Sequence, residues 1–138
     1  MSTSTAKNVN RALWTVQILV ALLFLFAGAT KFMLPAAKLQ EGPVVFPLAF
    51  IYFIGFCECL GAVGLVLPGL FRIRPILTPL AAVGLTIIMI GATTVSIIGM
   101  GIAAGTFPAI VGGLTAWIAY SRSRVRLLVI TPRLQHAR

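Results

Sequence analysis

Four long apolar segments alternate with short polar ones along the chain. The segments cover residues 12–34, 47–67, 78–99 and 102–120. Each has about 20 residues, the length at which a helix crosses the hydrocarbon core of a bilayer. None alternates apolar and polar positions as the strands of a transmembrane barrel do, and a helix satisfies its own backbone hydrogen bonds in lipid. The pattern therefore predicts four membrane-spanning helices.

Short connections join these spans, so consecutive helices should run antiparallel. The predicted fold class is all-α, an integral membrane four-helix antiparallel bundle. Pro35 should end the first span and Pro68-Gly69 the second, because Pro does not continue a helix. Thr78-Pro79 opens the third, since Pro suits the first helical turn.

The remaining boundaries are those of the two terminal segments and the start of the fourth span. Residues 1–11 form a predicted N-terminal segment and residues 121–138 a basic tail. The fourth span begins between Ile102 and Pro108, because glycines at positions 99, 101 and 105 blur its start.

Composition excludes a soluble domain. Hydrophobic residues make up 59% of the chain and charged residues 9%, whereas soluble domains have about 25% charged residues. The net charge of +9 would ordinarily suggest nucleic-acid binding. A chain this apolar is predicted to contact membrane lipid instead, with no nucleic acid.

The basic residues predict how the bundle lies in the membrane. With four spans, both termini share one side with the second connection, and that side carries nine of the 11 Lys and Arg residues. Basic residues favour the cytoplasmic side. Trp14, Trp117 and Tyr120 fall at the same interface, where amphipathic aromatic residues settle. We therefore expect a multi-pass cell-membrane protein with both termini in the cytoplasm and the tail arginines as a topology anchor near anionic headgroups.

Two charged residues lie within the predicted spans. Glu58 is about 16 Å along its helix from Pro47, close to the bilayer centre. It is expected to face the bundle, either as a proton-handling or ligand-binding carboxyl or as an interhelical hydrogen-bond partner. Lys31 is its natural partner by charge, although the two backbones would differ in depth by roughly 10 Å. The alternative is that Lys31 extends outward to the interface.

The other polar positions in the spans are weaker candidates. Gln17 shares one helical face with Phe24 and Lys31, which predicts that this face meets the bundle. Thr93 and Ser96 are further ligand-binding candidates on the third span, although such hydroxyls often bond their own helix. A metal site is not predicted, because the only His lies in the tail and Asp is missing.

Small residues should set the packing. Cys57 and Cys59 are two positions apart on a helix, so we interpret them as packing residues rather than a disulfide. In the fourth span, Gly105-Ala109-Gly113 and Gly112-Ala116 are small-xxx-small patterns that favour close helix approach. That approach could be within the bundle or between the protomers of a homo-oligomer.

Three segments together resemble a known family. They are LLFLFAGATKF at 22–32, FIGFCECLGAVGLVLPGL at 53–70 and LTPLAAVGL at 77–85. Over residues 12–121 the chain resembles the DoxX-like family of small bacterial four-helix membrane proteins. The resemblance places Lys31 and Glu58 at the family's characteristic polar positions. Relatives often have a His near the end of the third helix, where this chain has Ser96, so a chemical role of that His is in doubt here.

The sequence leaves three alternative functions open, of which the first two follow from the resemblance and the third would use a polar path lined by Thr86, Thr93 and Ser96. The first is an accessory subunit of a membrane-associated oxidoreductase system in the bacterial inner membrane, with a partner enzyme and a quinone or lipid contact near Glu58. The second is a non-catalytic scaffold or assembly chaperone, and the third is an oligomeric small-solute channel or carrier. An intrinsic cofactor is not expected, and whether the chain is itself an enzyme stays open.

Overall fold

The computed structural model describes the backbone of residues 3–135 and the side chains of residue 5 and residues 7–124. Arg126, Arg133, His136 and Arg138 of the predicted tail lie outside the described side chains. Across the described backbone the chain is helical, without strands. Its helices are α1 (Thr3–Met33), α2 (Ala36–Leu39), α3 (Leu48–Leu70), α4 (Leu77–Met100) and α5 (Ile102–Gln135).

The four long helices form an antiparallel bundle, which confirms the predicted fold class. Close approaches run in opposite directions along neighbouring helices: Trp14 meets Gly69 and Gly28 meets Gly55 between α1 and α3. The same reversal occurs between α3 and α4 and between α4 and α5. Each long helix contains a stretch long and apolar enough to cross a membrane.

The helix ends differ from the predicted boundaries in three places. α3 continues through Pro68 to Leu70, since a Pro this close to a helix end removes one intrahelical bond without stopping the last turn. α1 begins at Thr3 and α5 reaches Gln135, so both extend beyond the apolar segments that marked them.

The predicted loop between the third and fourth spans is reduced to one residue. Only Gly101 separates α4 from α5, with φ 93° and ψ 172°. That backbone conformation is essentially restricted to glycine. The fourth helix therefore begins at Ile102, the earliest of the positions considered.

The core draws on all four long helices. Phe24, Leu65, Leu85 and Ile118, one from each, are at most 2% exposed. Many large apolar side chains stay on the outside, including Phe26, Phe53, Ile87 and Ile110. In lipid such exposure carries no hydrophobic penalty, so packing and interhelical polar contacts must hold the bundle together.

Candidate functional site

Lys31 and Glu58 form an ion pair between α1 and α3. The Lys31 Nζ lies 2.6 Å from Glu58 Oε2 and also donates to the Ala27 carbonyl at 3.3 Å. The Glu58 side chain is 5% exposed and the Lys31 side chain 25%. Lys31 therefore pairs with Glu58 and does not extend outward to the interface. Its ammonium group binds the carboxylate oxygen Oε2.

The lysine stem bridges the expected difference in depth. It lies over Gly55, where an added Cβ would be 3.1 Å from Lys31 Cβ and 3.2 Å from its Cδ. From there the ammonium group reaches Glu58, one helical turn farther along α3. Gly28 lets the backbones approach, because a Cβ there would be 2.7 Å from the Gly55 carbonyl oxygen and 2.6 Å from Cys59 Sγ. Cys59 thus packs against α1.

Gln17 is fully buried and belongs to a second polar cluster at the other end of α1. Its amide nitrogen donates to the Leu65 carbonyl of α3, and its Oε1 accepts a 2.9 Å hydrogen bond from Arg122 Nε of α5. Arg122 Nη1 reaches Asn10 Oδ1 at 3.3 Å, and the guanidinium lies 5.1 Å from the Trp14 ring centroid. These contacts link α1, α3 and α5.

Two hydroxyl groups of α4, those of Thr86 and Thr93, make hydrogen bonds within the bundle. Thr93 donates to the Met89 carbonyl of its own helix at 2.7 Å. Thr86 bonds the Ala82 carbonyl and also meets Thr115 of α5 at 2.9 Å. Ser96 is half-buried one turn beyond Thr93. The structure does not bring Thr93 or Ser96 into contact with the Lys31–Glu58 pair.

An apolar groove of about 730 Å³ lies between α3 and α4. Its wall includes Cys57, Gly61, Gly64 and Pro68 from α3 and Leu80, Ala81 and Gly84 from α4. Glu58 does not line this groove, although its neighbour Cys57 does. A ligand in the groove would therefore contact α3 on the face next to the ion pair, without touching the carboxylate.

The sequence does not predict the interhelical contacts of two residues in these clusters. The sequence predicts Arg122 as part of the topology anchor, and the structure adds a hydrogen bond from it to Gln17 inside the bundle. Thr115 is fully buried and was not considered. Helical spacing could have found both, because Thr115, Ile118 and Arg122 recur at intervals of three and four along one face.

The small residues of α5 contribute to packing within the chain. A Cβ at Gly112 would lie 3.0 Å from Met89 Cβ, and one at Gly105 would clash with Ile97 of α4. A Cβ at Gly113 would meet no atom within 4 Å. Close approach inside the bundle therefore explains part of the small-residue pattern, and a homo-oligomer stays a prediction.

These features define a class: a small multi-pass membrane protein built as a helical bundle with an interhelical lysine–glutamate pair. Within the described residues, His, Cys, Asp and Glu side chains form no group of three that could hold a metal ion.

The chain belongs to the DoxX-like family, whose model matches residues 15–120. This match confirms the resemblance inferred from the three sequence segments. Comparison with curated proteins and with solved structures gives no significant match.

Proposed function

We propose that the chain is an accessory subunit of a membrane-associated oxidoreductase system, and that its α3–α4 groove holds a lipid-soluble quinone or lipid. The groove is the observation that carries this proposal. Its volume of about 730 Å³ is in the usual range for small-molecule sites, roughly 300–1,000 Å³. Its lining is apolar, which suits an isoprenoid or acyl chain. The oxidoreductase partner rests on the family resemblance.

The ion pair supports the proposed function by joining two helices. Glu58 is the only carboxyl group in the described spans, and its charge is already balanced by Lys31 at 2.6 Å. The carboxylate is engaged by Lys31 and does not line the groove, so it does not contact a ligand bound there. Its contribution to the proposed function is to fix α3 against α1, so that the adjacent face of α3 can form the groove with α4.

Groove occupancy can be tested by filling the groove. A Cβ at Gly84 would meet no atom within 4 Å, so Gly84→Phe places a ring in the groove without a clash at its base. Gly113→Phe is the matched control, because Gly113 is equally open but lies on α5. An isoprenoid quinone and a diacyl lipid, each carrying a photoreactive group, serve as probes in native membranes.

The proposal expects one of the two probes to cross-link to peptides of α3 and α4. Gly84→Phe should lower this cross-linking severalfold, whereas Gly113→Phe should leave it unchanged. Equal cross-linking of the unaltered protein, Gly84→Phe and Gly113→Phe would contradict a groove site. Labelling spread over every helix would contradict it as well. The probe that is captured distinguishes a quinone from a lipid.

The partner is tested separately, by chemical cross-linking in native membranes followed by mass spectrometry. The proposal expects a redox enzyme among the captured proteins, and its recovery should survive Gly113→Phe. Recovery of the chain alone would contradict the oxidoreductase role while leaving the groove result intact. The scaffold and channel alternatives stay predictions, and solute flux through liposomes containing the pure protein would favour the channel.

A further inference from the structure

The Arg122 cluster is the least compensated polar feature of the described bundle. The partners of Arg122 are amide oxygens of Gln17 and Asn10 and the ring of Trp14, all uncharged. Its second terminal nitrogen, Nη2, is buried and has no hydrogen-bond partner among the described residues. Both glutamates are elsewhere: Glu58 pairs with Lys31, and Glu41 follows α2 at the opposite end of the bundle.

A partly buried guanidinium with a free donor calls for an anion. Buried polar groups are nearly always paired, and a buried charge without a counter-charge is costly. A guanidinium offers several N–H groups in one plane, a geometry that matches the oxygens of a phosphate in two parallel hydrogen bonds. The Nη1 and Nη2 edge is the part of Arg122 that carries this unused capacity.

The position of the cluster indicates that the phosphate belongs to a lipid headgroup. The apolar stretch of α5 ends at Tyr120 and is followed by Arg122 and Arg124, so Arg122 lies where lipid headgroups meet the bundle. Trp14 lies beside Arg122 and Tyr120 beside Arg124, and amphipathic aromatic residues favour that depth. Arg11 and Arg124 add positive charge at the same end, which attracts anionic lipids.

We propose that Arg122 binds the phosphate of an anionic phospholipid at the end of the bundle where α1 begins and α3 ends. The headgroup approaches from the Asn10 side, because Asn10 is exposed and its contact with Nη1 is the longest in the cluster. Because Nη2 is buried, the Asn10 side chain turns away from Nη1 as the phosphate enters, and the phosphate takes the donors of the Nη1 and Nη2 edge. This site is independent of the α3–α4 groove.

The test measures how lipid charge changes thermal stability. Protein is placed in nanodiscs of phosphatidylcholine alone or of phosphatidylcholine with phosphatidylglycerol, and the difference in Tm between the two is recorded. Arg122→Gln removes the guanidinium. Arg124→Gln is the matched control, because the substitution removes the same charge two residues away. Arg124 stacks on Tyr120 at 5.2 Å.

Phosphatidylglycerol should raise the Tm of the unaltered protein and of Arg124→Gln, and this gain should largely vanish in Arg122→Gln. Retention of phosphatidylglycerol during native mass spectrometry should fall about tenfold in Arg122→Gln, as expected for loss of a charged hydrogen bond. Arg122→Lys should keep only part of the gain, since an ammonium cannot form the paired bonds. Loss of the bond to Gln17 lowers Tm in both lipids and therefore cancels in the difference.

Three results would overturn the proposal. The first is an equal Tm in both lipids for the unaltered protein. The second is an equal decrease of the phosphatidylglycerol-dependent gain in Tm in Arg122→Gln and Arg124→Gln. The third is full retention of that gain in Arg122→Lys. A third sample, with inorganic phosphate added to phosphatidylcholine nanodiscs, separates the sources. A gain there as large as with phosphatidylglycerol would show free phosphate, and not the lipid, to be the ligand.

Discussion

At the scale of single residues, the two side chains of the Lys31–Glu58 pair differ in exposure. Glu58 is almost enclosed, whereas a quarter of the Lys31 side chain is exposed. Lys31 can therefore turn toward the membrane interface when its partner is lost, but Glu58 has no comparable way out. The two halves of the pair should respond differently to mutation.

Removing either charge should destabilise the bundle, and Lys31→Met should cost more than Glu58→Gln. Losing one partner of a buried pair generally costs on the order of 3 kcal/mol, because the other charge is left unpaired. The double variant Lys31→Met/Glu58→Gln should be more stable than Lys31→Met alone. Unfolding in mixed micelles monitored by circular dichroism measures all three, and additive losses in the double variant would contradict the argument.

At the scale of helices, the α1–α3 crossing depends on two glycines. Gly28 and Gly55 let the backbones touch, and the lysine stem passes over the same place. In lipid the helices gain little from burying apolar surface, so this close contact is a main source of their association. The ion pair is possible because the crossing is tight.

Gly28→Ala should therefore weaken the bundle, although alanine is the better helix former. Its methyl group would sit 2.7 Å from the Gly55 carbonyl oxygen, and overpacking of this kind costs about 1–3 kcal/mol. Gly91→Ala is the control, because a Cβ there meets no atom within 4 Å and the substitution should be neutral or stabilising. A Gly28→Ala protein as stable as the Gly91→Ala protein in the same unfolding assay would refute the tight crossing.

The sequence was sufficient for the number, type and direction of the spans, because apolar length alone decides them in a membrane. It was also sufficient for the face of α1 that carries Gln17 and Phe24, both of which are buried. It could not decide the Lys31–Glu58 pair, because axial rise gives depth along each helix but not the distance at which two helices cross. The bond of Arg122 to Gln17 could not be predicted for a related reason: an arginine next to a basic run is typical of a solvated helix end, and only the packed α5 shows which way it points.

At the scale of the whole molecule, charge is divided between the two ends of the bundle. Arg11, Arg72, Arg74 and Arg124 lie at the end where α3 meets α4, while Lys38 and Glu41 lie at the other. Arg72 and Arg74 both have positive φ, 54° and 36°, so the short connection presents its arginines at some backbone cost. The bundle is thus strongly asymmetric along its axis.

This asymmetry predicts that the arginine-rich end faces the cytoplasm. After Cys57 and Cys59 are replaced by Ser, single cysteines at exposed loop positions report the orientation: Ile73→Cys for the arginine-rich end and Val45→Cys for the other. In intact cells a membrane-impermeant maleimide should label Val45→Cys and spare Ile73→Cys, and inverted vesicles should show the reverse. Both sites should react once the membrane is dissolved, which controls for buried thiols. Labelling of Ile73→Cys from outside would mean that nine basic residues had crossed the membrane, and the lipid contact at Arg122 would then belong to the outer leaflet.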